Sequence, residues 1–102
     1  MQNLRNESME RLLRAILELK NTDECFAFFR DLCTIKELQD MCRRFDTALL
    51  LDQDYSYQKI SAQVGVSTAT IGRVNQCLLY GAGGYRMAID RLAEGGERDE
   101  DQ

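Results

Sequence analysis

No proline interrupts the 102 residues of this chain, and apolar side chains recur along most of it at intervals of three and four residues. Proline is the strongest helix breaker, so its absence permits long helices, while this spacing places apolar side chains on one face of a helix. The pattern therefore predicts an all-α protein. The length suits one domain, which we place at residues 1–92, followed by an acidic, disordered tail at residues 93–102.

Three helices are predicted in the N-terminal half, each from a capping residue and an apolar stripe. The first is capped by Asn6 or Ser8, and the second is capped by Thr22. Before the third, Thr34 and Glu37 have the spacing of a capping box. In that motif the Thr hydroxyl and the Glu carboxylate each accept a hydrogen bond from the other residue's backbone amide.

The first two helices are apolar around more of their surface than one buried stripe requires. Phe26 and Phe28 lie two residues apart, about 200° around a helix axis, and Leu12, Leu13 and Ile16 are similarly crowded. A chain this short cannot easily cover both faces of both helices itself. We therefore expect an intertwined homodimer with a large apolar interface. The alternative is that these faces cover the rest of one monomer.

Charge is distributed unevenly along the chain. The net charge is −4, but residues 55–92 carry +3, while residues 1–54 and 93–102 are both negative. Residues 55–80 contain no acidic side chain. Because attraction to phosphates is local, this segment is the one suited to nucleic acid, although so few bases predict a modest affinity.

Residues 55–80 read YSYQKISAQVGVSTATIGRVNQCLLY and have the pattern of a helix-turn-helix at about residues 57–79. Gly65 adopts positive φ without steric cost, which a sharp turn between two helices requires. Val66 then fills the core between the helices, and Ser67 caps the second one. The inward side chains are expected to be Ile60, Val64, Ile71, Val74 and Leu78. A plain helical hairpin with a glycine turn is the alternative.

The residues left on the outward surface of this motif are short or polar. Short side chains at the start of a helix let backbone amides approach a phosphate. Arg73 could bind guanine through two hydrogen bonds, and Gln76 could bind adenine. For Arg73 a phosphate contact or a solvated charge is the alternative, and for Tyr57 it is simple packing. The candidate DNA-binding residues are Tyr57, Gln58, Lys59, Ser67, Thr68, Ala69, Thr70, Gly72, Arg73 and Gln76.

Other classes of protein find little support in the residues. The chain has four cysteines at spacings that match no zinc site and has no histidine, so we expect small buried thiols and no metal or other cofactor. No nucleophile–base pair or phosphate-binding glycine loop is visible, so an enzyme is not predicted. No apolar run approaches the ~20 residues that span a bilayer, nor the length of a signal peptide. We therefore expect a cytoplasmic protein that does not bind membranes.

Four stretches of sequence carry a family resemblance: ECFAFFRDLCTIKELQDMCRRF, YQKI, STATIGRVNQCLLYG and YRMAIDRL. At VGVSTATIGRVNQCL the chain resembles the tryptophan repressor. To about Leu92 it is similar to the YerC/YecD family of proteins related to that repressor. The resemblance implies a six-helix Trp-repressor-like fold with a helix-turn-helix, an intertwined homodimer, and operator binding by the helix at Ser67–Tyr80.

The resemblance also bears on a small-molecule effector. Two positions that bind tryptophan in the repressor correspond to Arg43 and Arg73, which are therefore candidate effector-binding residues. The alternative for Arg43 is an ion pair with an acid such as Asp40 or Asp46. A third position, glycine in the repressor, is Val74 here, and a nearby serine is Cys77. Valine adds three carbons where the indole would lie, so tryptophan is expected to bind poorly or not at all.

Together these features predict a sequence-specific transcriptional regulator, a repressor, that reads a palindromic operator in double-stranded DNA through the major groove. A two-fold axis would place the two reading helices ~34 Å apart. The alternative is a helical, dimeric protein-interaction module that does not read DNA, which the acidic net charge favours.

Overall fold

The computed structural model describes the backbone of residues 4–100 and the side-chain surroundings of residues 4–95. This part of the chain forms six α-helices and no strand, which confirms the predicted all-α class. The helices are α1 Glu7–Leu17, α2 Thr22–Leu32, α3 Ile35–Asp52, α4 Tyr57–Val64, α5 Thr68–Tyr80 and α6 Gly84–Glu100.

The first two helices are both capped by asparagine. The Asn6 side chain accepts a hydrogen bond from the Met9 amide at 2.9 Å, which confirms one of the two predicted caps of α1. In α2 the cap is Asn21, whose side chain accepts from the Glu24 amide at 2.9 Å. The predicted cap, Thr22, is instead the first helical residue. Asparagine is the stronger N-cap, so it takes this role when the two are adjacent.

The capping box of α3 forms as predicted. The Thr34 amide donates to Glu37 Oε1 at 2.8 Å, and the Glu37 amide donates to Thr34 Oγ1 at 3.1 Å. The backbone hydrogen bond from Thr34, followed by the one from its hydroxyl, holds the pKa of Glu37 below its ordinary value. The start of α3 is therefore fixed locally, by residues that lie within one turn of each other.

The described residues fall into two compact units, which are divided between Leu38 and Gln39. The first unit contains α1 and α2, neither of which has a buried residue. A domain is held together by a shared core. Within one chain, α1 and α2 contribute no fully buried side chain to such a core, and the single domain at residues 1–92 stays a prediction.

The second unit contains the buried side chains of the described residues. Ile60 and Ile71 are fully buried, and Ala48, Val74 and Ile89 form a cluster in which α3, α5 and α6 meet. Thr47 is also fully buried, and its hydroxyl donates to the Arg43 carbonyl at 2.7 Å. The predicted inward positions Ile60, Ile71 and Val74 are thus confirmed, while Val64, Val66 and Leu78 are half-buried.

The last helix extends past the end of the predicted domain at residue 92. Residues 93–102 were expected to form a disordered tail, yet α6 continues to Glu100, and residues 101–102 lie outside the described residues. Alanine, glutamate and arginine, which follow Leu92, are good helix formers. The two glycines in this segment each destabilise a helix by only about 1 kcal/mol relative to alanine, so the helix continues. No helix in the described part of the chain is long and apolar enough to cross a membrane.

The cysteines are less buried than expected. Cys25 and Cys33 are half-buried, whereas Cys42 and Cys77 are exposed. All four are free thiols. The prediction of buried thiols is therefore wrong for Cys42 and Cys77, because a position beside the apolar stripe of a helix can still face solvent. Among the residues that the structure describes, no group of three cysteine, aspartate or glutamate side chains is placed to hold a metal ion.

Candidate nucleic-acid interface

Helices α4 and α5 are joined by a three-residue turn whose geometry depends on glycine. Gly65 ends α4 in the left-handed region, with φ 82° and ψ 33°. Its amide donates to the Ser61 carbonyl at 2.9 Å, so the last turn of α4 stays hydrogen-bonded. A side chain at this position would meet no atom within 4 Å. The requirement for glycine is therefore conformational and not a matter of space.

A side-chain hydrogen bond braces the same turn from inside. The Ser61 hydroxyl donates to the Val66 carbonyl at 2.7 Å, and both residues are half-buried. On either side of the turn, Ile60 and Ile71 are fully buried. The sequence indicated only that Ser61 is small. In the structure its hydroxyl also bonds the turn to α4 through the Val66 carbonyl.

Both helices begin with a serine cap and carry no acid in the first turn. The Ser56 side chain accepts from the Lys59 amide at 3.2 Å at the start of α4. At the start of α5, the Ser67 hydroxyl accepts from the Thr70 amide and donates to the Thr70 hydroxyl, both at 3.1 Å. The partial positive charge of a helix N-terminus favours phosphate oxygens, and no carboxylate within these turns competes with them.

Most of the predicted DNA-binding residues are exposed. Those exposed are Tyr57, Gln58, Lys59, Ser67, Thr68, Ala69, Arg73 and Gln76, while Thr70 and Gly72 are half-buried. The buried face of α5 is formed by Ile71 and Val74. A side chain at Gly72 would meet no atom within 4 Å, so the surface is open at that point.

The candidate effector residues line one cavity in the second unit. Its volume is about 390 Å³, and its positively charged lining residues are Arg43, Arg44 and Arg73. Arg43 Nη1 lies 3.6 Å from Asp40 Oδ1, and both residues line the cavity. This is one of the two ion pairs that the sequence offered as an alternative to effector binding by Arg43. The cavity also reaches the start of α5 at Ser67 and Thr70. A ligand here would therefore touch the helix that carries the candidate DNA-binding face.

Two lining residues of this cavity were missed by the sequence analysis, Arg44 and Tyr85. Burial, followed by the nearby Cys77 thiol, raises the pKa of Tyr85, and the positive charge of Arg44 acts in the opposite direction. The phenol is therefore neutral at physiological pH and can donate a hydrogen bond into the cavity. Arg44 lies about 100° around the helix axis from Arg43. Whether one or both side chains line the cavity therefore depends on how the helices pack, which the sequence does not show.

Lys59 is not part of that cavity. It lines a separate concavity of about 380 Å³ beside the loop before α4, together with Asp54, Tyr55 and Ser56. Asp54 has φ 64° and follows the end of α3, where the Tyr55 amide donates to the Leu50 carbonyl at 3.1 Å. The candidate residues thus fall into two groups, one at the start of α4 and one along α5.

Comparisons with known proteins agree on one family. A family model described as Trp repressor protein matches residues 7–93. The Bacillus subtilis protein YerC is 46% identical over 91 residues, which are 89% of this chain and 88% of YerC. The crystal structure of a TrpR-like protein from Eubacterium eligens superposes with a TM-score of 0.85 at 43% identity, covering 88% of this chain and 93% of that one. A Staphylococcus aureus protein of known structure gives a TM-score of 0.84 at 42% identity, with coverages of 88% and 90%.

Proposed function

Since this chain belongs to the Trp repressor family, a family of DNA-binding regulators, we propose that it is a transcriptional repressor that reads a palindromic operator through the major groove. The observation that carries this proposal is the α4–turn–α5 arrangement, in which left-handed Gly65 joins two helices whose side chains Ile60 and Ile71 are fully buried. Helix α5 is the reading helix.

The chemistry of α5 supports this assignment. Thr68 and Ala69, at its exposed start, are short enough to let backbone amides approach a phosphate, and their methyl groups suit thymine. Farther along, Arg73 and Gln76 are exposed and carry the donors and acceptors that discriminate guanine and adenine. Tyr57, Gln58 and Lys59 contact the phosphate backbone from the start of α4.

We further propose that the active species is a homodimer. None of the residues of α1 or α2 is buried, although these helices carry large apolar side chains. Leu17 is 81% exposed and Phe26 62% exposed. We infer that a second copy covers these apolar side chains, since large exposed apolar surfaces mark interaction sites. A two-fold axis then presents the two α5 helices to half-sites ~34 Å apart, one turn of B-DNA.

The proposal is tested by selection of bound sequences from a random duplex pool. An inverted repeat with half-sites one helical turn apart is expected, and the affinity for it is then measured with Arg73→Ala. Loss of a bidentate guanine contact costs about 1–3 kcal/mol, roughly a 5- to 150-fold weaker complex, and relaxes the preference at one base pair. Arg11→Ala removes the same charge from α1 and is expected to leave the preference unchanged.

Two outcomes of that selection would count against the proposal. Full specific affinity in Arg73→Ala would refute the role of Arg73. Failure of the wild-type protein to enrich any sequence would favour the alternative, a dimeric protein-interaction module, which the net charge of −4 supports.

For the cavity, we propose that tryptophan is not the effector. The Val74 side chain is only 3% exposed and packs with Ala48 and Ile89, so it cannot move aside to admit an indole ring. Three arginines and the Tyr85 phenol instead favour a small anionic molecule. Isothermal titration with tryptophan is expected to show no binding up to millimolar concentration. Micromolar binding would contradict this proposal and leave the proposed DNA binding intact.

A further inference from the structure

An arginine at the start of α6 joins two carboxylates on different helices. Arg86 Nη1 donates to Asp52 Oδ1 at 2.7 Å, while Nη2 and Nε donate to Asp90 Oδ1 at 3.0 and 3.2 Å. Asp90 lies one turn along α6, but Asp52 is the last residue of α3 and is 34 positions away in the sequence. The bonds that cap the helices join residues only three or four apart. Arg86 therefore ties the end of α3 to the start of α6.

The hydrogen bond between Arg86 and Asp52, here called the tie, lies beside the apolar cluster against which the reading helix packs. Ala48 of α3, Val74 of α5 and Ile89 of α6 form this cluster, and Leu51 and Tyr85, which directly precede Asp52 and Arg86, pack against it. Helices α3 and α6 thus both contribute to the cluster in which Val74 of α5 is buried. We expect a shift of α3 relative to α6 to alter the tilt of α5, and hydrogen bonds to base edges weaken steeply with angle.

From this arrangement we propose that Arg86 is a positioning residue for DNA recognition, which holds α5 in its reading orientation through Asp52 without touching DNA. The inference rests on the proposed function. The Asp90 carboxylate binds Nε and Nη2 and so orients the guanidinium, whose third nitrogen, Nη1, donates to Asp52. The pair also offsets the unfavourable position of Asp52, a negative charge at the negative end of the α3 dipole.

The size of the effect is limited by exposure. The side chains of Arg86 and Asp52 are 46% and 32% exposed, and exposed ion pairs contribute little to global stability. Loss of the tie is therefore expected to leave the protein folded while loosening α5. Each protomer carries one Arg86–Asp52 bond, so a substitution that removes it removes two bonds from a dimer. We therefore expect roughly a threefold to tenfold rise in the Kd for the selected operator.

The experiment compares Arg86→Gln with Arg91→Gln, which removes the same charge from the same helix. Operator affinity is measured over a series of salt concentrations. Arg86→Gln is expected to weaken binding and leave the slope of log Kd against log salt unchanged, whereas loss of a phosphate contact lowers that slope by about 1. Asp52→Ala, which removes the acceptor of the same bond, is expected to match Arg86→Gln. Arg86→Lys is expected to restore part of the affinity, and Arg91→Gln to leave it unchanged.

Hydrogen exchange without DNA separates the failure of this inference from the failure of the proposed function. Faster exchange of α5 amides in Arg86→Gln is expected, with circular dichroism showing a folded protein. If the wild type selects no duplex, the proposed function fails, and exchange rates still decide the role of Arg86. Unchanged affinity together with unchanged exchange would overturn the inference, as would a lowered salt slope, which identifies a direct phosphate contact.

Discussion

The two units of this chain use similar apolar content in different ways. In residues 39–95 the apolar side chains form a core, with Ile60 and Ile71 fully buried. In residues 4–38 the apolar side chains stay largely at the surface, and Phe26 is 62% exposed. The lesson is that helical periodicity places apolar residues on a face, but it does not say which molecule covers that face.

The sharpest test of this difference is the dependence of stability on protein concentration. Phe26→Ala is expected to weaken the dimer by roughly 3–6 kcal/mol, because each of two copies loses about 1.5–3 kcal/mol of apolar burial. Ile71→Ala, the counterpart in the second unit, is expected to lower the free energy of unfolding by roughly 2–5 kcal/mol through a cavity in the core.

Sedimentation and urea unfolding over a hundredfold range of concentration distinguish the two variants. Phe26→Ala shifts the dissociation of the dimer, whereas the loss in Ile71→Ala persists at every concentration. A wild-type protein that stays monomeric at high micromolar concentration would remove the basis of the comparison.

A smaller effect is expected from the turn that organises the second unit. Gly65→Ala places a side chain at φ 82° and is expected to cost about 1–2 kcal/mol, although nothing obstructs the new methyl group. Gly72→Ala is the matched control, since it lies inside α5 with equally open space. It is expected to stabilise the protein by about 0.4–1 kcal/mol while weakening operator binding. Equal stability of the two variants in urea titration would argue against the strained turn.

The smallest effect is expected on the pH dependence of stability. It is tested with one carboxylate from each unit, Glu37 and Asp52. Hydrogen bonds from Thr34 lower the pKa of Glu37, and the hydrogen bond from Arg86 lowers the pKa of Asp52. A carboxylate whose pKa is lower in the folded state than in the unfolded state stabilises the protein at pH values above its unfolded-state pKa of about 4. This stabilisation is lost as the pH falls through the pKa of the folded state. Glu37→Gln and Asp52→Asn are therefore expected to lower the urea midpoint at pH 7. Their midpoints should converge with the wild type near pH 2, and a constant difference would contradict the assignment.

Local chemistry explains why much of the candidate interface could be predicted from the sequence. The bounds of α4, the cap at Ser67 and the turn at Gly65 depend on residues within a few positions of one another. The capping box at Thr34 has the same origin. Each of these features is decided by one side chain reaching one nearby backbone group, which spacing alone reveals.

Tertiary packing decided the features that the sequence did not reveal. Arg44 and Tyr85 share a cavity although about forty positions separate them, and Arg86 finds Asp52 across a similar gap. The crowding of apolar residues on the first two helices predicted more apolar surface than one chain covers, but only the structure shows which side chains stay exposed, such as Leu17 and Phe26, because exposure depends on what a face packs against. The sequence by itself thus determined the capping box of α3, the serine cap of α5 and the acid-free face of α5. Only the tertiary structure determined which distant side chains meet, since that depends on how the helices pack.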